Sequence, residues 1–394
     1  MPSDRRWSRV ATFLALEPNV IAVSVAMFLL ALGENLWQKF LPKYLQALGA
    51  PIRAVGLFGS VDDFLDGIYQ YPGGWLGDHL GRRASLLGFV VIAMVGYAMY
   101  GFAPDWRWII AGLFFVSVWS SMGSPTLFAV IGDALPKERR AMGFTVQSMI
   151  KRVPIAVAPI IGGIMIARHG LVHGIRTLLI ATIALALVTL VALSRVRIER
   201  IVGPPTNIRG VWQSFPGSLR WLLLSDVFIR TCEGLVDVFL VIYATTIVGI
   251  SVPRYGLLVA VQMVTAILVY IPAGRIADRI GRKPFVIATF IAFSLFPLAV
   301  VMAHSFAALA GAFVVGGLRE IGEPSRKALI VDFAQPATRA RTIGLYYLIR
   351  SVAIAPAAFV GGLLWERQPS LPFFTALVAG LAGTVLFSLT VQEE

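Results

Sequence analysis

Charge is what this sequence has least of: 14% of its 394 residues are charged, while 57% fall in the hydrophobic set. An ordinary soluble domain carries about 25% charged residues. So little polar side chain cannot cover a fold of this length in water, so lipid is expected to solvate much of the chain. Cysteine is almost missing as well. The single Cys232 lies in an apolar run, which excludes an intramolecular disulfide and leaves the redox compartment unread. Four histidines and that one cysteine offer few ligands for a transition metal. His169 and His173 are four apart, but Gly170 between them and an expected external loop argue against a metal site there. There is no G-x-x-x-x-G-K-[ST] element, so ATP is not the evident energy source. No nucleophile–base constellation is present, so no enzyme and no bound cofactor is expected. Long polar stretches are also scarce, which leaves no room for a sizeable soluble domain.

What is present is a series of apolar runs of membrane-spanning length, about 20 residues each. They fall at roughly 19–45, 54–76, 84–103, 107–132, 141–168 and 174–194, then at 220–247, 254–276, 284–303, 306–331, 340–366 and 371–391. The expectation is an all-α integral membrane protein of twelve transmembrane helices, divided into 1–194, a linker at 195–219 holding Pro204 and Pro205, and 220–394. Arg5, Arg6 and Arg9 before the first run mimic a signal peptide. That run is too long and lacks a small-residue cleavage site, so it reads as a retained first helix.

The formal charge of +13 does not form the single patch that nucleic acid would require. Lys and Arg recur instead in short loops between apolar runs. Nineteen of them lie on the side of the termini and linker, against seven on the other: Lys43, Arg53, Arg107, Arg168, Arg176, Arg254 and Arg367. The positive-inside rule therefore puts both termini and the linker in the cytoplasm, with the chain in the cell (inner) membrane.

The two halves repeat at an offset of 199 to 200 residues. Gly74-Trp-Leu-Gly-Asp78-His-Leu-Gly81-Arg82-Arg83 recurs as Gly274-Arg-Ile-Ala-Asp278-Arg-Ile-Gly281-Arg282-Lys283. Gly123, Pro125 and Asp133 recur as Gly322, Pro324 and Asp332; Lys151 falls on Arg350, and Gly162-Gly163 on Gly361-Gly362. Several matches in register indicate duplication, and parallel six-helix repeats define a known transporter architecture with a solute site near mid-membrane. Gly81 and Gly281 suit a strained chain reversal, Gly74 and Gly274 suit close helix approach, and Arg82, Arg83, Arg282 and Lys283 suit the anionic cytoplasmic face.

This repeated element, lying between helices two and three and again between eight and nine, resembles the signature loop of the major facilitator superfamily. The resemblance implies two pseudo-symmetric six-helix bundles that work by alternating access. It also implies a cytoplasmic gate in which Asp78 meets Arg339 and Arg341, and Asp278 meets Arg140. Ala158-Pro159-Ile-Ile-Gly162-Gly163 is similar to an element of the superfamily's proton-coupled drug and solute exporters, with Ala in place of the first Gly. Many of those exporters carry an Arg in helix four. This chain has Ser120 there, and the Arg stands at the repeat-equivalent Arg319.

Charges inside the spans are costly and normally mark a pathway. The acids are Glu34, Asp62, Asp63, Asp66, Glu233, Asp237, Glu320 and Glu323; the bases are Lys39, Lys151, Arg152, Arg230, Arg319, Arg326, Lys327 and Arg350. Arg319, Glu323 and Lys327 at i, i+4, i+8, and Arg230, Glu233 and Asp237 on one face, also fit self-neutralising helix pairs. Lys151, Arg319 and Arg350 fall about 15–20 Å into their helices, near the midplane. Arg326 and Lys327 fall near the cytoplasmic end and read as gate or surface charges. A desolvated carboxylate can exchange a proton near neutral pH, which makes Glu34, Asp66 and Glu233 the proton-coupling candidates. Asn35, Trp37, Asp62, Lys151, Arg152, Arg230, Asp237, Arg319, Glu323 and Arg350 are the solute-binding candidates.

The leading expectation is a secondary active transporter, functional as a monomer and driven by the proton gradient, that exports a small charged or amphipathic organic solute by antiport. Its partners are then the solute, protons and the lipid bilayer. The alternatives are an organic-anion uptake symporter or uniporter relying on Lys151 and Arg350, an amphiphile or lipid translocase, and a non-transporting membrane sensor.

Overall fold

The computed structural model describes residues 18–123, 126–127, 137–195, 212–213, 215–333 and 339–392. The side chains of residues 137–151 and of Asp78, Gly274, Asp278, Arg339 and Arg341 lie outside that description.

The first half runs α1 (Pro18–Asn35), a 3-10 turn (Gln38–Phe40), α2 (Leu41–Ala47), α3 (Ile52–His79), α4 (Arg82–Gly101), α5 (Trp106–Ser117), a π-helical turn (Val118–Met122), α6 (Lys137–His169) and α7 (Leu171–Ser194). The second runs α8 (Gly217–Gly234), a 3-10 turn (Asp237–Phe239), α9 (Leu240–Ile242), a π-helical turn (Tyr243–Ile247), α10 (Val252–Ile280), α11 (Lys283–Val301) and α12 (Phe306–Leu318). It ends with α13 (Glu323–Phe333), α14 (Arg339–Ile354), α15 (Pro356–Arg367) and α16 (Leu371–Thr390).

Eight helical segments among the described residues are long and apolar enough to cross a membrane. The other expected spans are those of α3, α5, α8 and α12–α13, the helices around 52–79, 106–122, 217–242 and 306–333. Three of these carry the embedded charges Asp62, Asp63 and Asp66, or Asp226, Arg230 and Glu233, or Arg319 to Lys327, which lower their hydropathy. Trp106–Met122 is a shorter apolar helix.

The duplication is visible in the backbone. The 3-10 turns Gln38–Phe40 and Asp237–Phe239 are 199 residues apart, each interrupting the first long helix of its half. Gly81 and Gly281 have φ of 88° and 100°, and Gly49 and Gly249 have 86° and 78°. These are left-handed conformations that an L side chain adopts only with strain, so glycine ends one helix and lets the next begin.

Several spans expected to be continuous are broken. α12 stops at Leu318 and α13 starts at Glu323, where Gly316, Gly317, Gly322 and Pro324 all disfavour a helix interior. Pro356 opens α15 and separates it from α14.

Two compact units are present, Met1–Lys39 with Ile68–Pro204, and Phe40–Gly67 with Pro205–Glu394. The first part of α3, up to Gly67, thus belongs with the second half of the chain. The reason is close helix approach: a Cβ on Gly56 would lie 2.5 Å from the carbonyl oxygen of Ala358, and one on Gly59 2.8 Å from the Ala358 Cβ. Pro356 leaves first-turn amides of α15 without helical acceptors, and the Phe359 N–H donates to Ser60 Oγ at 2.8 Å. Lys43 Nζ donates to Thr245 Oγ1 at 2.9 Å in the same unit. A buried cluster including Leu219, Leu222, Phe290, Ile330, Tyr346 and Phe387 forms a hydrophobic core of this unit.

Candidate functional site

In the first unit the site is built around the end of α1. Tyr97 on α4 is fully buried and its hydroxyl donates to Glu34 Oε1 at 2.7 Å. Trp37 fixes the turn that follows. It is 2% exposed, its indole N–H donates to Thr182 Oγ1 at 3.0 Å, and its ring meets Tyr97 and Tyr100 edge-on at 6.0 and 5.6 Å. Trp37, a candidate for solute contact, therefore spends its surface on packing. Asn35 is buried too, with its side-chain amide donating to the Ala31 carbonyl at 2.8 Å. Glu34 and Arg152 are half-buried. The side chain of Lys151 lies outside the described residues.

The second unit holds a dense ion network. Asp226, on α8, is completely buried. Its Oδ2 accepts from Arg326 Nη1 at 2.5 Å, from the Tyr346 hydroxyl at 3.1 Å and from Arg350 Nη1 at 3.4 Å. Arg326 also reaches both oxygens of Glu323, at 2.8 and 3.1 Å. One turn further along α8, Arg230 donates to Glu233 at 2.8 Å and to Glu323 at 3.4 Å. Arg319 reaches the other oxygen of Glu233 at 3.2 Å and anchors its Nε on the Gly316 carbonyl at 2.9 Å. Its guanidinium lies 4.8 and 4.7 Å from the ring centres of Phe293 and Phe296.

The broken helices correct the expected pairing. Because the chain turns between α12 and α13, Arg319 does not follow an i, i+4 path to Glu323. It bonds Glu233 on another helix, while Lys327 alone keeps its helical contact with Glu323, at 3.5 Å. Likewise α8 ends at Gly234, so Asp237 opens a separate 3-10 turn rather than sharing a face with Arg230. Arg326 is also corrected: read as a gate or surface charge, it is 1% exposed and central to the network. Lys327 is the exposed member of that pair.

A second group of carboxylates lies in the same unit. Asp63, half-buried on α3, feels the charges of Asp62, Asp66, Glu233 and Asp237. One of its oxygens would be 3.7 Å from a Cβ placed on Gly234. Asp62 is half-buried like Asp63, whereas Asp66 is exposed.

Of the gate candidates, Arg282 pairs with Asp332 and Lys283 Nζ donates to the Ser388 carbonyl at 2.9 Å. Arg83 is exposed, and Gly74, Arg82 and Gly281 are half-buried. The tight approach next to the motif falls at Gly73, where a Cβ would lie 2.4 Å from Met122 Cα. The expected partners of Asp78 and Asp278 lie outside the described side chains.

Asp226, Tyr346 and the central place of Arg326 escaped the sequence reading. The available signal was the i, i+4 spacing of Asp226 and Arg230, which places an acid and a base on one face of an apolar helix. Asp63 stood among the embedded acids, but nothing separated it from its neighbours Asp62 and Asp66.

A duplicated helical bundle with ion-paired charges within its spans defines an integral, multi-pass membrane carrier of small solutes. The chain belongs to the Major Facilitator Superfamily, whose sequence profile matches residues 23–231 and 222–394, and it is a secondary transporter of that family. It is 20% identical over 386 residues to an uncharacterized MFS-type transporter of Methanocaldococcus jannaschii, covering 94% of each chain. It is 29% identical to Multidrug resistance protein 1 of Bacillus subtilis over 177 residues, or 44% of each chain. Its fold is similar to that of a POT family transporter solved in complex with 5-aminolevulinic acid, with TM-score 0.77, 15% identity and 94% of each chain covered.

Proposed function

We propose that the protein is a proton-coupled exporter that moves a small charged or amphipathic organic solute by antiport and alternating access. In this reading it acts as a monomer in the cell membrane with both termini cytoplasmic. The observation that carries it is the Glu34–Tyr97 pair at 2.7 Å, set at the end of a membrane helix. A phenol can donate to a carboxylate or accept from a carboxylic acid, so the pair has a satisfied geometry in either protonation state. Glu34 is the first proton-carrier candidate, with Asp66 and Glu233 after it. Export is supported by the Ala158–Gly163 element of α6 and by the partial likeness to a relative named for multidrug resistance.

The test is uptake into everted proteoliposomes holding purified protein, with cationic, zwitterionic and anionic solutes and an imposed pH gradient. The reading expects accumulation of one solute class that collapses when the gradient is dissipated. Equilibration without accumulation, unchanged by the gradient, would replace antiport with facilitated diffusion.

A further inference from the structure

We infer that Asp63 is a proton-binding residue of the transport cycle, and that its neutral form keeps the first part of α3 seated against α8 and α15. Loss of the proton then parts that contact. The inference rests on the transporter reading above and adds to it a second proton site, in the second unit.

The contact is built for close approach. Gly56, Gly59, Ser60, Asp63 and Gly67 recur at helical spacing and so share one face of α3. A Cβ on Gly56 would lie 2.5 Å from the Ala358 carbonyl oxygen, one on Gly59 2.8 Å from Val238, and one on Gly67 2.6 Å from the Ser351 Cβ. The fit is mutual, since a Cβ on Gly362 of α15 would lie 3.1 Å from the Arg53 Cα. Membrane helices meet this closely where side chains are small, and the Phe359 N–H bonds Ser60 Oγ across the same contact.

Asp63 stands in the middle of that face. A Cβ placed on Gly234 would lie 3.1 Å from the Ala357 Cβ and 3.7 Å from Asp63 Oδ2, so the carboxyl sits where α3, α8 and α15 converge. Gly234 is the last residue of α8, the negative end of a helix dipole. The charges that act most strongly on Asp63 belong to four carboxylates: Asp62 and Asp66 on α3, Glu233 on α8 and Asp237 on the turn after it. Glu233 is itself held by Arg230 and Arg319, and Arg350, next to Ser351 on α14, pairs with Asp226. None of these three arginines figures among the charges acting most strongly on Asp63. From α15 the contact receives Ala357 and Ala358, with Glu366 and Arg367 at the far end of that helix.

A carboxylate in this place adds a further like charge to a contact that is tight, and burial within a membrane makes that more costly. A carboxylic acid adds no charge and is a donor as well as an acceptor. The one side chain thus favours two spacings of α3, and the proton selects between them. Alternating access needs such a contact, because α3 and α15 belong to different six-helix repeats that rock against each other.

The experiment reads the separation of α3 and α15 by dipolar coupling between two nitroxides. It uses the full chain in phosphatidylcholine nanodiscs, with neither solute nor gradient. Arg53→Cys and Glu366→Cys carry the labels, because their side chains are exposed and 4.0 Å apart across the contact. Cys232→Ser removes the single native thiol. The inference expects strong coupling at about pH 5 and a separated population that grows towards about pH 9. The ratio of separated to close forms should rise by up to about tenfold per pH unit, the slope of one proton. Asp63→Asn and Asp63→Ala should both stay strongly coupled at every pH, while Asp105→Asn, in the first unit, keeps the response. No pH response in the labelled protein, a response of opposite sign, or one that survives both Asp63 substitutions would overturn the inference. Because the readout needs neither solute nor gradient, failure here leaves proton-coupled export standing, and failure of export or coupling leaves the response of this contact standing.

Discussion

Arg326 and Asp226 are a hundred residues apart in sequence and 2.5 Å apart in space, and both side chains are almost completely buried. Removing Asp226 leaves Arg326 with Glu323 as its one carboxylate partner and takes the carboxylate away from Arg350 as well; breaking a buried pair in this way typically costs about 3–5 kcal/mol. Asp226→Ala is therefore expected to lower the unfolding temperature sharply in detergent. Pairing it with Arg326→Met should recover part of the loss, because the net positive charge left by removing Asp226 is gone while Glu323 keeps Arg230 and Lys327. A double variant less stable than the single would contradict this account of the pair.

Gly281 at φ 100° and Gly81 at φ 88° end the helices before α11 and α4. Alanine at either position is expected to cost about 1–2 kcal/mol, because its Cβ crowds the backbone in that region. Gly88→Ala is the control: it sits within α4 with no neighbouring atom near its Cβ position, so it should be neutral or stabilise by about 0.5–1 kcal/mol. Chemical unfolding of the three variants side by side reads the difference.

Thr182 accepts from the Trp37 indole at 3.0 Å and donates back to the Gly33 carbonyl at 2.8 Å. Thr182→Val keeps the volume and strands a buried N–H, so a loss of about 1–3 kcal/mol is expected. Trp37→Phe removes the donor along with its need, and in the Thr182→Val background it should cost less than it does alone. Additive losses in that double-mutant cycle would show that the hydrogen bond is not what couples the two residues.

Gly56 lies against the backbone of α15. Gly56→Ala must push α3 away from Ala358 and weaken the Phe359–Ser60 hydrogen bond beside it, an overpacking cost of about 1–3 kcal/mol. Ser60→Ala tests the hydrogen bond without the clash. Hydrogen exchange at the Phe359 amide should rise in both variants and stay unchanged in Gly344→Ala, which has open space around it.

How much of this was legible beforehand follows from the range of each interaction. Spans, duplication and the Gly81 and Gly281 turns are local or periodic features, and the sequence displays them directly. Arg319 was legible as an embedded charge but its partner was not. The i, i+4 rule assumes an unbroken helix, and the break at residues 319–322 sends it to Glu233 instead. Arg326 was misplaced for a related reason: depth counted along one helix does not reveal an acid supplied by another. Grouping residues 40–67 with the second half depends on the approach of Gly56 and Gly59 to α15, a tertiary fact that leaves no periodic trace. The Glu34–Tyr97 pair lies between. Its carboxylate was singled out from position alone, while its phenol partner, sixty-three residues on, was not.

The most direct test of the central claim is solute-induced proton movement in proteoliposomes, comparing the unmodified protein with Glu34→Gln. The account predicts that one solute class triggers proton flux across the membrane. It also predicts that the flux disappears in Glu34→Gln while solute-for-solute exchange continues. Solute movement with no proton flux in either protein, or proton flux unchanged by Glu34→Gln, would contradict it.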